Sequence, residues 1–102
     1  MLGCYSVGQV SDPRDLIPYL ASHQGHEPWL LCAFGAAEHA CVTAAAAMGG
    51  HVRVGFENNL YLHNGDTAPD NAALVAQAAR AAASLGRPLA TPADIRSMYQ
   101  VA

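Results

Sequence analysis

Charge is scarce in this chain. Of its 102 residues, only 13% are Asp, Glu, Lys or Arg, about half the usual share of a globular protein. Five of them are basic and the formal net charge is −3. No patch is left to neutralise a phosphate backbone, so nucleic acid is not an expected partner. Long apolar runs are missing too, with none near the ~20 residues of a membrane span. The opening Met1-Leu2-Gly3-Cys4 lacks the charged region and apolar core of a signal peptide. Cysteine is sparse: Cys4, Cys32 and Cys41 are an odd set without zinc-site spacing. They read as reduced thiols acting as small hydrophobes, and the expected location is cytoplasmic.

What is present is apolar surface, 52% of the residues. A chain of this size buries roughly two-thirds of its unfolded surface as one modest domain. So few charges over so much apolar chain imply that part of the surface is covered, by the rest of a larger fold or by an oligomer partner. No low-complexity linker divides the chain, so a single domain is expected over residues 1–102.

Three times an apolar stretch runs through a turn into a helix. Met1 to Gly8 is a weak strand, its pattern blurred by Gly3 and Gly8. Asp12-Pro13-Arg14-Asp15 then starts a helix, with a capping side chain, proline at the first position and an acid at the positive end of the dipole. Leu16, Ile17 and Leu20 line its inner face. The continuous apolar run Trp29 to Phe34 marks a strand buried on both sides. Ala36 to Met48 has high helix propensity, and Gly49-Gly50 ends it. A third helix starts near Asp70-Asn71, with Leu74, Val75, Ala78, Ala82 and Leu85 as its inward stripe. Gly86 closes it, and Thr91-Pro92-Ala93-Asp94 caps a short terminal helix. The order β-α-β-α-β-α-α implies an α/β fold with a parallel sheet and right-handed crossovers. Either an open three-layer domain or one arc of a (β/α)8 barrel satisfies it. A complete barrel needs about 250 residues.

The chemistry concentrates in the third strand, read as His51 to Leu62. Alternation puts His51, Arg53, Gly55 and Glu57 on one side and Val52, Val54 and Phe56 on the other. Arg53 and Glu57 then stand about 13 Å apart along the strand. Buried charges need a partner, metal or ligand, which would make this the chemical edge of the protein. A surface strand whose Arg53 and Glu57 face water fits the same pattern. Glu57, Asn58 and Asn59 fall at the strand's C-terminal end, where barrels place their active residues.

These residues also carry a resemblance. Gly49-Gly50-His51-Val52-Arg53-Val54-Gly55-Phe56-Glu57-Asn58-Asn59-Leu60-Tyr61, then Asn71-Ala72-Ala73-Leu74-Val75, then Leu85-Gly86-Arg87 and Ala90-Thr91-Pro92-Ala93-Asp94-Ile95-Arg96, resemble the C-terminal signature of the beta-keto acid cleavage enzymes. Order and spacing agree, and Trp29 to Met48 resembles the preceding strand and helix more loosely. The chain thus looks like the last three βα units, units 6 to 8, of an eight-unit TIM barrel. The resemblance implies a zinc-dependent, reversible Claisen-type exchange, in which a beta-keto acid and acetyl-CoA give acetoacetate and a new acyl-CoA. It implies zinc held by a His-x-His pair from an early strand and by Glu57, with an open position for polarising a keto oxygen. Arg53 takes the place of an arginine that works with an aspartate to deprotonate the substrate or steady the enolate.

Two departures bear on activity. Asn58 stands where the family carries that aspartate, and an amide cannot accept a proton as a carboxylate does. No His-x-His occurs among the five histidines, His23, His26, His39, His51 and His63. His23 and His26 share a loop with Gly25 and Pro28 and make a poor metal pair. His39 is expected mid-helix, with Glu38 pointing elsewhere. His51 begins the strand at the end opposite the site, and His63, just past the motif, is expected in solvent. Zinc should therefore bind weakly or not at all to this chain alone. Three functions follow: an enzyme segment active only with an N-terminal barrel portion, a non-catalytic α/β module that self-associates through open sheet edges, or a small module binding a carboxylate through Arg53.

Overall fold

The first strand shrinks to a single residue. Leu2 makes a parallel bridge with Ala33, and its amide donates to the Cys32 carbonyl at 3.0 Å. Gly3 then turns the chain at φ +98°, a backbone region that side chains disfavour. The computed structural model describes residues 1–100; the last two residues of the expected domain, 101 and 102, lie outside the described residues.

Leu30–Leu31 forms β1 and His51–Val52 forms β2. They pair in parallel, Leu30 beside His51 and Leu31 beside Val52. With the Leu2 bridge, three parallel extended segments lie side by side, with β1 in the middle. Leu31, Cys32, Ala33 and Phe34 are all buried in succession, as expected of a strand covered on both faces. The expected burial fails at the front of the run, where Leu30 is 53% exposed.

The third strand is much shorter than the expected His51 to Leu62. Its ladder with β1 ends where the Arg53 amide donates to the Leu31 carbonyl at 2.9 Å. Beyond it the chain enters a turn at Phe56 to Asn58 and a small antiparallel bridge between Tyr61 and Thr67.

The helices start where capping chemistry places them. Asp12 accepts from the Arg14 amide at 2.9 Å and opens a 3-10 turn, Pro13–Asp15, that runs into α1, Leu16–Ser22. Of the expected inner face, Leu16 is buried and Leu20 half-buried, but Ile17 is exposed. A second 3-10 turn, Gly35–Ala37, leads into α2, Glu38–Ala47. The Asp70 side chain accepts from the Ala73 amide at 2.8 Å and starts α3, Asn71–Ser84. Thr91 and Asp94 form a reciprocal capping box before α4, Pro92–Met98; such a box satisfies two free backbone donors.

The core joins Leu2, Leu16, Leu31, Ala33, Cys41 and Ala45, with Leu20, Trp29, Ala44 and Val52 packed around it. Small residues on α2 allow this close approach. Gly50 is needed for the same reason, since a Cβ there would overlap the Trp29 ring. On α3 the expected stripe holds at Leu74 and Ala78 but not at Val75 or Leu85, which are exposed. The third helix packs on α2, so its buried face is narrower than a full sheet-facing stripe and includes Gln77.

Candidate functional site

The C-terminal ends of the three parallel segments open on one cleft. Tyr5 and Ser6 come from the loop after Leu2, Phe34 and Gly35 from the end of the β1 segment, and Phe56 to Tyr61 from the turn after β2. Its volume is about 450 Å³, within the range of small-molecule sites. Gly35 closes one wall at φ +77°, and a Cβ there would sit 2.6 Å from the Gln9 carbonyl oxygen. The close approach of the two loops thus depends on glycine.

Arg53 and Glu57 meet directly. An Arg53 Nη2–H donates to Glu57 Oε2, which corrects the separation of about 13 Å that an unbroken strand would impose. The turn brings them together. The Asn58 and Asn59 amides both donate to the Gly55 carbonyl at 3.1 Å. The Phe56 amide donates to Asn71 Oδ1, at the start of α3, at 2.8 Å. Both charged side chains are open to water, 47% and 60% exposed, so they are paired but not buried.

Glu57 has a second partner that the sequence did not disclose. Tyr5 Oη–H donates to Glu57 Oε1 at 2.7 Å, and the Tyr5 ring stands edge-on to Phe34 with centroids 4.8 Å apart. Each carboxylate oxygen therefore has its own donor. The Tyr5 hydrogen bond, followed by the Arg53 charge, holds Glu57 below its ordinary pKa. The adjacent negative charge of Glu57 raises Arg53, and the hydrogen bond to Glu57 raises Tyr5. All three groups keep their usual charge states near neutral pH. The arrangement presents a fixed carboxylate, a guanidinium and a phenol at the cleft edge.

Asn58 and Asn59 are both buried. The Asn58 carbonyl accepts from the Gly35 amide at 3.0 Å, while neither polar atom of its side chain has a hydrogen-bond partner among the described residues. Asn59 uses its side chain fully: Oδ1 accepts from the Tyr61 amide at 3.0 Å, and Nδ2 donates to the Tyr61 carbonyl at 2.6 Å and to Glu38 Oε1 at 3.2 Å.

Glu38 thus points toward the site, while its neighbour His39 lies beside His63, so the two point to different sides of the helix, as expected. Its side chain is wholly buried, and burial is the main cause of its raised pKa. A signal for this was present: Glu38 shares a helical stripe with the apolar Cys41, Val42 and Ala45, at spacings of three, four and seven. Tyr5, in a weak strand broken by glycine, gave no such signal.

His63 is exposed, as expected, and its ring lies 5.8 Å from that of His39 between centroids. Burial and the neighbouring His63 lower the pKa of His39. Cys32 and Cys41 are buried free thiols, and burial pushes Cys41 up to about 11; Cys4 is exposed. Among the described residues, no three His, Cys, Asp or Glu side chains gather where they would hold a metal ion. Glu57, with both oxygens hydrogen-bonded, is a single potential ligand. It does not meet the three protein ligands of a catalytic zinc site.

A sequence model of the beta-keto acid cleavage enzymes matches residues 1–101 of the chain. The chain belongs to the beta-keto acid cleavage enzyme family. It is 36% identical over 94 residues to the 3-keto-5-aminohexanoate cleavage enzyme of Acetoanaerobium sticklandii, covering 92% of this chain and 34% of that protein. Its identity to the enzyme of the same name from Fusobacterium nucleatum is 39% over 88 residues, covering 86% of this chain and 32% of the relative. It is also similar to the 3-oxoadipate:acetyl-CoA acetyltransferase of Cupriavidus necator, 47% identical over 51 residues, covering 50% of this chain and 18% of the relative. The chain therefore spans about a third of the length of the two cleavage enzymes. Of the resemblance's site positions, the fold sets Glu57 and Asn58 in one turn and pairs Arg53 with Glu57; among the described residues, no histidine hydrogen-bonds Glu57.

Proposed function

We propose that this chain supplies the last three βα units of a (β/α)8 barrel that exchanges a beta-keto acid with acetyl-CoA to give acetoacetate and an acyl-CoA. The carrying observation is that Glu57 and Asn58 line one cleft at the C-terminal ends of parallel segments, with Arg53 paired to Glu57. That is the end where barrel enzymes keep their chemistry. Arg53 would bind the carboxylate of a keto acid through its remaining guanidinium donors and offset the charge that develops on an enolate. Tyr5 would hold Glu57 at the cleft edge through its one hydroxyl proton. Zinc belongs to this reading only for a complete protein: Glu57 is one ligand, and the rest of the set would have to come from an N-terminal barrel portion. The chain alone should be inactive, because Glu57 by itself is not a zinc site, and the amide at position 58, where the family carries a proton acceptor, should slow the assembled enzyme. A cytoplasmic protein is part of the reading and suits its three free thiols.

The test is complementation. The chain is mixed with the N-terminal two-thirds of a related enzyme, given a beta-keto acid and acetyl-CoA, and acetoacetate is measured. Exchange is expected only in the mixture and should be abolished by Glu57→Gln. Asn58→Asp should raise the rate about 100-fold or more, the usual contribution of a positioned general base. A mixture that is inert with either residue at position 58 rejects the proposal.

A second reading rests on a different face. Leu30, Val52, Val54, Val75 and Leu89 line an apolar groove of about 400 Å³ beside β2, and among the described residues β2 has no strand on its outer side. A non-catalytic module would pair two such edges. Sedimentation that gives a dimer, abolished by Val54→Lys, favours this reading, and a monomer counts against it.

A further inference from the structure

We infer that Glu38 is a positioning residue for the candidate site: from the first turn of α2, its buried carboxyl anchors the turn that presents Glu57 and Asn58. The inference rests on the reading of that turn as the chemical edge of the protein. It adds a residue to which the resemblance assigns no role.

The turn is short and held at both ends. At its far end, Asn59 Nδ2 donates to Glu38 Oε1 at 3.2 Å and to the Tyr61 carbonyl at 2.6 Å, while Asn59 Oδ1 accepts from the Tyr61 amide at 3.0 Å. Both amide hydrogens and the amide oxygen of Asn59 are therefore committed, and the one committed outside its own loop goes to Glu38. At the near end, the Phe56 amide donates to Asn71 Oδ1 at 2.8 Å. Gly35, three residues before Glu38, donates its amide to the Asn58 carbonyl at 3.0 Å. The 3-10 turn before α2 and the first residue of α2 thus hold residues 58 and 59, Asn71 holds residue 56, and Glu57 projects from between these anchors.

A carboxyl with no exposed surface is costly unless its hydrogen bonds are needed. Here Glu38 gives up one oxygen to Asn59 and leaves Oε2 without a hydrogen-bond partner. An apolar residue would pack at this position in the stripe of α2, but it would leave one Asn59 hydrogen unpaired and the turn tied only to itself. Active groups need such support, because geometry must be held to within about half an ångström by locked neighbours. Glu38 reaches Glu57 only through the backbone of the turn, so its role is orientation and not contact with a substrate.

The experiment compares the full chain with Glu38→Ala, Glu38→Gln and Glu38→Leu by amide NMR and hydrogen exchange. Glu38→Ala is expected to shift the Asn59 side-chain amide signals. It should also speed exchange of the amides from Asn58 to Tyr61 about tenfold or more, while the core amides of Leu31 and Arg53 keep their protection. Glu38→Gln retains an acceptor oxygen and should restore the wild-type pattern at Asn59. If Glu38→Ala does not fold, Glu38→Leu fills the volume without an acceptor and is read in the same way. Unchanged Asn59 signals in the apolar variants, or a glutamine variant as disturbed as they are, would overturn the inference. No turnover is needed, so failure of the proposed reaction leaves this test readable.

Discussion

At the scale of single residues, the chemistry lies in how a few polar groups are paired. Glu57 is held low by the Tyr5 hydroxyl first and Arg53 second. Tyr5→Phe should therefore raise its pKa, and Arg53→Ala should raise it also, as read by carboxyl carbon NMR across an acid titration. Glu38 goes the other way, because burial favours its protonated form. Below the unfolded pKa both states hold that proton, and stability does not depend on it. As pH rises through the unfolded pKa toward the raised folded value, the unfolded chain releases the proton first, and stability falls. Glu38→Gln should then be more stable than the parent near pH 7, with the advantage shrinking toward pH 4 in denaturant melts. The thiols divide in the same way. Cys4 is exposed and should react with a thiol reagent in the native chain. Cys41, buried and pushed up to about 11, should react only after unfolding.

At the scale of elements, the joints between helix and strand are the sensitive points. Arg87, just past α3, donates through Nη1 to the carbonyls of Ala46 and Gly50, both at 2.7 Å. It thereby closes the end of α2 and fixes the entry to β2. Arg87→Ala should cost about 1–3 kcal/mol, since hydrogen bonds from a charged donor are lost and carbonyls left unpaired. Gly50→Ala should cost a similar amount, about 1–3 kcal/mol, because an added methyl overlaps Trp29. Both are measured by urea unfolding. Helix starts were legible in advance: Asp12, Asp70 and Thr91 cap where their side chains can reach free amides. The extents of strands were not. A strand lasts only as long as its neighbour supplies hydrogen bonds, and β1 stops supplying β2 after the Leu31 carbonyl takes Arg53.

At the scale of the whole molecule, much apolar surface stays open. Leu30, Val75 and Leu89 are 53%, 49% and 70% exposed, on the side where β2 has no outer neighbour among the described residues. The low charge of the sequence points to a covered surface, and this groove is where the proposed partner would sit. No helix among the described residues is long and apolar enough to cross a membrane. The chain's third of the length of its cleavage-enzyme relatives and the single metal-ligating candidate at the cleft make the same demand of the complementation experiment. A partner that covers the β2 edge should also restore turnover and raise the melting temperature, by the linkage of binding to folding.

The sequence by itself determined the α/β alternation, the helix starts, the buried run before Gly35 and the family to which the signature belongs. Each depends on residues near one another in the chain, where periodicity and capping act. Only the tertiary structure decided that Arg53 and Glu57 touch, that Tyr5 completes the carboxylate's partners, and that Glu38 faces the turn. Those contacts link residues 52 and 21 positions apart, Tyr5 to Glu57 and Glu38 to Asn59, or depend on where a strand ends. Such separations carry no local period, and the packing of α2 against the three parallel segments sets them.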